Sequence, residues 1–288
     1  MEQNTDRMWW TIGAVVLGGI LIAGFLFITS NNFTPKISEK MNALIKTTEP
    51  SNKINPNDAK WVQKGNYGTN GKFVVDKDGN AVIYAIDASK PIVFHNMAEE
   101  NANLPDTLTT LTFPDKVQGD TNSSMDRAFT DTFDHTFTNL KTINNLDTNV
   151  DTSNVTDMSA MFCDSQLTSV GDLSQWNTSK VTYMGAMFEA SQLTSVGDLS
   201  QWNTSNVTDM GLMFAGSNLT TVGDLSQWNT SKVTNMQDMF LGSKLTSVGD
   251  LSKWNTSNVT YMGNMFYGSQ LTPPSWYRWD AGPGPGPM

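Results

Sequence analysis

The chain has 288 residues, a formal net charge of −10 at pH 7 and a sequence pI of about 4.5. An acidic chain without a basic stripe is not expected to bind nucleic acid. Its one cysteine, Cys163, excludes an internal disulfide, and two histidines leave few ligands for a zinc site.

The N-terminal region contains an apolar segment. Trp9–Ile28 is an uncharged run of about 20 residues, long enough to span a bilayer as a helix. A cleaved signal peptide is the alternative, but its apolar core is usually shorter and ends at an A-x-A-like site, which Ile28–Asn32 lacks. The sequence therefore predicts a transmembrane anchor within residues 1–30, followed by a polar linker or stalk over residues 31–60.

Residues 61–149 predict a small β-rich domain that caps the repeats described below. Lys72–Ile86 alternates apolar and polar residues around Asp78-Gly79, which predicts a hairpin. Pro91–His95 and Leu108–Phe113 are further predicted strands. A helix that runs into the first repeat is predicted from spaced apolar residues: Phe129, Phe133, Phe137, Leu140 and Ile143.

Residues 150–271 repeat one 26-residue pattern five times. Each unit reads close to W-N-T-S-(K/N)-V-T-x-M-x-x-M-F-x-x-S-x-L-T-S-V-G-D-L-S-Q, and Val150 occupies the first tryptophan slot. The other units begin at Trp176, Trp202, Trp228 and Trp254. Self-similarity at this period is typical of a solenoid, in which stacked units supply each other's core.

Two segments are predicted within each unit, here described for Trp176–Gln201. Val181, Met184 and Phe188 share one helical face, which predicts a helix of about two to three turns. The following Leu193–Leu199 predicts a short extended segment, in which the recurring glycine indicates a bulge or a positive φ. The predicted fold class is therefore an α+β solenoid, a leucine-rich-repeat-like array of five units with an N-terminal β-rich cap and one transmembrane helix.

Residues 272–288 break the repeat at Pro273-Pro274. Trp276, Tyr277 and Trp279 are predicted to cover the last unit. The final Gly-Pro-rich stretch is predicted to be disordered.

The repeats resemble a known family. Val150–Phe162, V-D-T-S-N-V-T-D-M-S-A-M-F, and Trp176–Phe188, W-N-T-S-K-V-T-Y-M-G-A-M-F, resemble the BspA-like leucine-rich-repeat surface proteins of bacteria. The L-T-S-V-G-D-L-S that follows is similar to that family's strand segment. The resemblance implies an extracellular, cell-attached protein that binds other molecules or takes part in adhesion, without catalysis.

Together with the Trp9–Ile28 span, the resemblance implies a single-pass membrane protein with its bulk outside the cell. Its expected partner is a host or envelope protein or glycan, not a small-molecule substrate. A structural envelope spacer or assembly component without a specific ligand is the alternative. No enzyme activity and no cofactor are expected, because neither histidine nor the cysteine lies in a recognised catalytic pattern.

Two recurring groups could in principle bind metals. The ten methionines of the M-x-x-M-F motif share a face with valine and phenylalanine, so packing explains them better than Cu(I) binding. Asp172, Asp198, Asp224 and Asp250 recur in one register, where cations could bridge them or each could close its own turn. The turn is favoured, because one carboxylate per unit falls short of the six to eight oxygens that calcium prefers. No metal site is predicted.

Three slots vary between units, and positions that vary within a packed array are expected to be exposed. The slot after V-T holds Asp157, Tyr183, Asp209, Asn235 and Tyr261. The slot after M-F holds Cys163, Glu189, Ala215, Leu241 and Tyr267. The slot before V-T holds Asn154, Lys180, Asn206, Lys232 and Asn258.

Exposed tyrosine is favoured at interfaces, so the first two variable slots are the predicted binding site. Drift on a solvated face is the alternative interpretation. The predicted binding residues are Tyr183, Asp209, Asn235, Tyr261, Glu189, Leu241 and Tyr267.

Overall fold

Two compact units divide the chain, Met1–Pro50 and Ser51–Met288. The structure, a computed structural model, describes residues 54–130 and 137–278, together with the backbone of residues 16–17 and 20–21.

The first unit corrects the predicted membrane anchor. Inside Trp9–Ile28, strand β1 (Val16–Leu17) pairs antiparallel with β2 (Ile20–Leu21), so the span is not one helix. Gly18-Gly19 separates the two strands in the sequence, and glycine pairs favour tight hairpins over helix interiors. The rest of the span lies outside the described residues, among which no helix is long and apolar enough to cross a membrane. The predicted single-pass membrane location is therefore wrong, because it rested on that helix.

A five-stranded mixed sheet begins the second unit. Its strands, in spatial order, are β3 (Trp61–Tyr67), β4 (Gly71–Asp76), β5 (Asn80–Ala85), β7 (Thr110–Thr112) and β9 (Thr142–Asn144). The first two pairings are antiparallel and the last two are parallel.

The hairpin predicted at Asp78-Gly79 is confirmed and joins β4 to β5. Asp76 Oδ1 accepts from the N–H groups of Asp78 and Asn80, each at 2.9 Å. Gly79 has a φ of 79°, the left-handed conformation that glycine adopts without strain.

A second sheet is built around β8 (Val117–Ser124). This strand pairs in parallel with β6 (Ile92–Asn96), β10 (Val150–Asp151) and β11 (Val155–Asp157). The strands predicted at 91–95 and 108–113 are therefore confirmed as β6 and β7.

Two α-helices occur among the described residues, and both precede the repeats. Helix α1 (Met97–Asn101) begins after Asn96, whose side chain accepts from the next turn, and α2 (Leu146–Asn149) leads into β10. The helix predicted from Phe129 to Ile143 is wrong where it is described. Ile143 belongs to β9, and Phe129 stacks on Phe162 of the first repeat.

Turns build each repeat, and residues 150–278 contain no α-helix. The helix predicted over Val181–Phe188 is wrong, because Ala186 has a φ of 57°, and a left-handed residue interrupts a right-handed helix. Its equivalents in the other units share this conformation, with φ between 50° and 60°: Ala160, Leu212, Asp238 and Asn264.

In the first four repeats, alternate N–H groups of the motif bond the next repeat instead of their own. Those of Met184, Ala186 and Phe188 donate to carbonyl oxygens of the following unit at 3.0, 2.8 and 2.9 Å. The predicted α+β solenoid of helix-plus-strand units is therefore wrong. The described residues of the second unit form one mixed sheet, one parallel sheet and turns, with three-residue 3₁₀ helices at Leu173–Gln175, Leu225–Gln227 and Leu251–Lys253.

One continuous core runs from Tyr67 to Leu271. Six phenylalanine rings stack through it, with neighbouring centroids 5.5 to 5.8 Å apart. They are Phe129, Phe162, Phe188, Phe214, Phe240 and Phe266. The ten methionines of the M-x-x-M-F motif are buried in the same core, which confirms their packing role.

The four repeat tryptophans are also buried. Trp176 stacks on Trp202 with centroids 6.5 Å apart, and the Trp202 indole N–H donates to the carbonyl of Leu173 at 3.0 Å. After the last repeat, Trp276 donates to Leu251 in the same manner, and Tyr277 lies edge-on to Phe266. These contacts cover the last unit as predicted, whereas Trp279 lies outside the described residues.

The recurring glycine has the predicted positive φ. Gly171, Gly197, Gly223 and Gly249 have φ values between 78° and 87°. A Cβ on Gly223 would lie 1.8 Å from Asp198 Oδ1, so glycine is also required for the close approach of the preceding unit.

Candidate binding face

The first variable slot forms a continuous row, here called the first row: Asp157, Tyr183, Asp209, Asn235 and Tyr261. Single parallel β-bridges join each member to the next, extending the ladder of β11 through the repeats. The structure therefore brings four of the predicted binding residues together. Tyr183 is 49% exposed and Tyr261 is 50% exposed.

Aspartate and asparagine in the first row cap the backbone two residues further on. Oδ1 of Asp157, Asp209 and Asn235 accepts from the N–H two residues later at 2.9, 2.8 and 3.0 Å. Tyrosine has no oxygen within this reach, and no described group accepts from the N–H of Gly185 or Gly263. The tyrosine units therefore present an exposed ring and an unpaired donor close together.

The second variable slot, here the second row, is only partly exposed. Tyr267 is 74% exposed and Glu189 and Leu241 are half-buried, but Cys163 and Ala215 are buried. The prediction that this slot faces solvent is therefore wrong at Cys163 and Ala215.

Neighbouring carboxylates cover the Cys163 thiol. Its Sγ lies 3.6 Å from Glu189 Oε2 and 3.7 Å from Asp164 Oδ2, and its single S–H can donate to either carboxylate. Burial, and then these two negative charges, raise the pKa of Cys163 to about 12. A thiol in this environment is a poor nucleophile.

A shallow groove with a volume of about 340 Å³ crosses the repeats beside the first row. Its lining includes the residues that separate the two variable slots in the sequence, and several of them are small: Ser159, Ala160, Gly185, Ala186 and Gly211. Asp209 and Asn235 of the first row also line it. Glu189, Leu241 and Tyr267 are not among its lining residues, so the structure does not place the second row in the groove.

The groove carries more negative than positive charge. Among the described residues, Asp126, Asp209 and Asp238 line it together with a single cation, Arg127. Arg127 lies 3.2 Å from Asp126 in an ion pair, and burial raises the pKa of the Asp126 carboxyl although Arg127 opposes that shift. Asp238 Oδ1 is buried and has no hydrogen-bond partner among the described residues.

The third variable slot forms a ladder between neighbouring repeats. Lys180 Nζ donates to Asn154 Oδ1 and Lys232 Nζ donates to Asn206 Oδ1, both at 2.7 Å. Asn206 Nδ2 in turn donates to the Ser179 carbonyl at 2.8 Å. The alternation of asparagine and lysine therefore reflects pairing between repeats.

The recurring aspartates close their own turns, as favoured from the sequence. Oδ1 of Asp172, Asp198, Asp224 and Asp250 accepts from the serine N–H two residues later at 2.9 to 3.0 Å. These bonds hold the pKa values of Asp224 and Asp250 below the ordinary value. Across residues 54–130 and 137–278, no three His, Cys, Asp or Glu side chains cluster so that they could hold a metal ion.

Sequence reasoning missed a sixth copy of the turn motif. The N–H groups of Met125, Arg127 and Phe129 donate to carbonyls of the first repeat at 2.8, 2.9 and 2.9 Å, in the register that later repeats use. This copy places Asp126 and Arg127 in the groove. Its signal is M-D-R-A-F at 125–129, which keeps the methionine and phenylalanine of M-S-A-M-F at 158–162.

Comparison with known proteins gives a family. Residues 123–219 and 191–282 each match the family described as Mycoplasma protein of unknown function, DUF285, and the two matches together cover more than half of the chain. The chain belongs to the DUF285 family. The DUF285 match begins within β8 and so includes the sixth motif copy. No curated protein and no solved structure matches the chain.

Proposed function

We propose that the protein is a non-catalytic binding protein whose variable rows contact a macromolecular partner, a protein or a glycan. One observation carries this proposal. Among the described residues of the repeats, the large apolar side chains that are exposed are Tyr183, Tyr261 and Tyr267, and all three occupy variable slots. Tyrosine offers a large contact area with a polar tip, which suits a surface that is wet when free and buried when bound.

The spacing of the tyrosines supports a large partner. Tyr183 and Tyr261 are three repeats apart in one bridged row. Since hydrogen-bonded strands lie about 4.8 Å apart, roughly 14 Å separates them. A ligand that touches both must be extended or protein-sized, and a shallow groove gives little enclosure to a small molecule.

The repeats also resemble BspA-like surface proteins. This resemblance supports a binding role, whereas membership of the DUF285 family by itself implies no function. That resemblance favours adhesion or interaction at a cell surface. The resemblance does not identify the partner, which has to be inferred from the side chains of the variable rows.

A structural spacer or assembly component without a specific ligand is the second candidate. Two observations favour it. In the third slot, lysine alternates with asparagine because Lys180 bonds Asn154 and Lys232 bonds Asn206. In the first slot, Asp209 accepts from the backbone N–H two residues later. Variation at these positions therefore has an internal explanation.

The two candidates are separated by a binding screen with a matched control. The full chain is probed against a peptide library and a glycan array, alongside a variant with Tyr183, Tyr261 and Tyr267 changed to serine. The control changes Gln175, Gln201 and Gln227 to serine, because these residues are also exposed and lie outside the variable slots. We expect the tyrosine variant to lose binding at an unchanged thermal midpoint and the glutamine variant to keep it. Equal binding by both variants would favour the spacer.

A further inference from the structure

The two exposed tyrosines of the first row share a backbone feature. Tyr183 is followed two residues later by Gly185 and Tyr261 by Gly263, and neither glycine N–H has an acceptor among the described residues. In the other three units, the equivalent N–H donates to a side-chain oxygen of the first row at 2.8 to 3.0 Å. Those oxygens mark where an acceptor atom would lie in the tyrosine units.

The surroundings of Gly185 favour a neutral acceptor over a carboxylate. A Cβ on Gly185 would lie 3.1 Å from Asp209 Oδ1 and 3.3 Å from the Gly211 carbonyl oxygen. A negative group placed there would be repelled by the Asp209 carboxylate. At Gly263 a Cβ would meet nothing within 4 Å, so the backbone there is open to a partner.

The distance between the two donors fits a polypeptide. Three repeat spacings give roughly 14 Å, and four residues of extended chain also span about 13 to 14 Å. Alternate residues of an extended chain face the same side, so the carbonyls of residues four apart can reach both donors.

The charge beside the row fits a basic segment. Asp209 and Asp238 line the groove, and Arg127, the one cation in its described lining, is already paired with Asp126. The whole chain carries a net charge of −10, which attracts a cationic partner over a longer range. A lysine or arginine between the two anchoring carbonyls would lie over the carboxylates of the groove.

We propose that the first row binds an extended basic polypeptide segment, two of whose main-chain carbonyls accept from the N–H groups of Gly185 and Gly263 beside Tyr183 and Tyr261. This inference rests on the proposed binding function and names the partner's chemistry. It assigns the N–H donors a role separate from that of the rings.

A pair of double variants separates the donors from the rings. Changing Tyr183 and Tyr261 to alanine removes the rings and leaves both N–H groups open. Changing them to asparagine removes the rings and caps the donors, as Asn235 caps Gln237. We expect the asparagine variant to bind roughly 30-fold more weakly than the alanine variant, since two donors are capped and each net hydrogen bond corresponds to about fivefold in Kd.

The probe is an acetylated, amidated peptide of alternating alanine and lysine, long enough to reach both tyrosines. Binding to the isotopically labelled full chain is followed by NMR. We expect the amide signals of Gly185 and Gly263 to shift with this peptide and not with its alanine–glutamate counterpart. In the asparagine variant, both amides should exchange with solvent more slowly even without peptide.

Several results would overturn the inference. Equal affinities of the alanine and asparagine variants would show that the donors contribute nothing, although the proposed function would stand if both variants bound more weakly than the parent. Unprotected amides in the asparagine variant would refute the capping geometry. A chito-oligosaccharide that shifts the same two signals, when the lysine peptide does not, would make the partner a glycan. Peptide binding unaffected by either variant would remove the first row from the proposed function as well.

Discussion

Gly223 illustrates how one residue per repeat fixes the contact between neighbouring units. Its φ is 84°, and a Cβ there would lie 1.8 Å from Asp198 Oδ1 and 2.7 Å from its Cγ. We expect Gly223→Ala to lower the free energy of unfolding by at least about 2 kcal/mol, because backbone strain and the displaced carboxylate add. Urea denaturation measures this.

The matched control is Gly263→Ala. No atom lies within 4 Å of its added Cβ, and this glycine does not have a positive φ. Its unfolding free energy should therefore stay within about 0.5 kcal/mol of the parent. Equal effects of the two substitutions would refute the account of the glycine turn.

Cys163 gives a prediction that depends on pH. Burial and the nearby carboxylates of Glu189 and Asp164 raise its folded-state pKa from 9.0 to about 12. Between these values the unfolded chain has lost the thiol proton and the folded chain retains it, so this group's contribution to stability declines as the pH rises from 9.0 towards 12.

The rate of alkylation tests the same feature under native conditions. We expect Cys163 to react with iodoacetamide far more slowly in the folded chain than in urea at the same pH, because the thiolate is the nucleophile. Changing Glu189 to glutamine should increase the folded-state rate. A native rate equal to that of an unfolded thiol would contradict the raised pKa.

At the scale of elements, the sequence predicts the repeat and misjudges its backbone. The buried side of each unit follows from recurrence, since Val181, Met184 and Phe188 are all buried. Their spacing also fits a helix, and nothing in the residue type announces that Ala186 is left-handed. The bonds that stabilise this conformation come from the next repeat, so local propensity alone could not predict it.

The candidate site was predictable to a similar degree. The exposed tyrosines follow from variation between units, because a tyrosine does not fit where a closely packed core holds a much smaller side chain. The same reasoning fails at Cys163 and Ala215, which are small enough to be buried in the second variable slot. Asp126 and Arg127 were missed because their motif copy has lost the second methionine. Asp238 was missed because its slot, which alanine occupies in the second unit, lies inside the segment predicted as a helix.

Deleting one repeat tests the ladder between units. Removing residues 202–227 joins Gln201 to Trp228 in register and makes Lys180 the neighbour of Lys232. We expect the shortened chain to fold, because every core column is kept. Lys232 would lose its asparagine acceptor.

Adding Lys180→Asn to the shortened chain gives Lys232 an acceptor again. The substitution also removes the Lys180–Asn154 bond in both chains, so we expect its effect on the unfolding free energy to be roughly 0.5 kcal/mol more favourable in the shortened chain than in the full-length chain. In the full-length chain the same substitution removes the Lys180–Asn154 bond and should not stabilise. Equal effects of the substitution in the two chains would show that the Lys232 bond contributes no stability.

At the scale of the second unit, the repeats share one core with the sheets before them. Phe129 stacks on Phe162 at 5.8 Å, and β8 pairs with both β10 and β11. We expect a fragment of residues 150–278 to aggregate, since it exposes an apolar face and an unpaired strand edge. Size-exclusion chromatography and near-UV circular dichroism measure this against residues 54–278. A soluble fragment with a sharp melt would show that the repeats are independent.

The direction of bonding in the repeats also has a mechanical consequence. The inter-repeat backbone bonds of Met184, Ala186 and Phe188 reach only the adjacent unit. A load applied across the repeats is therefore carried in series, and the terminal unit can peel away while the others stay intact. Each 26-residue unit would release about 85 to 95 Å of extended chain. Single-molecule pulling on the repeats should therefore give a sawtooth of evenly spaced rupture events, in which each unit dissipates part of the applied load.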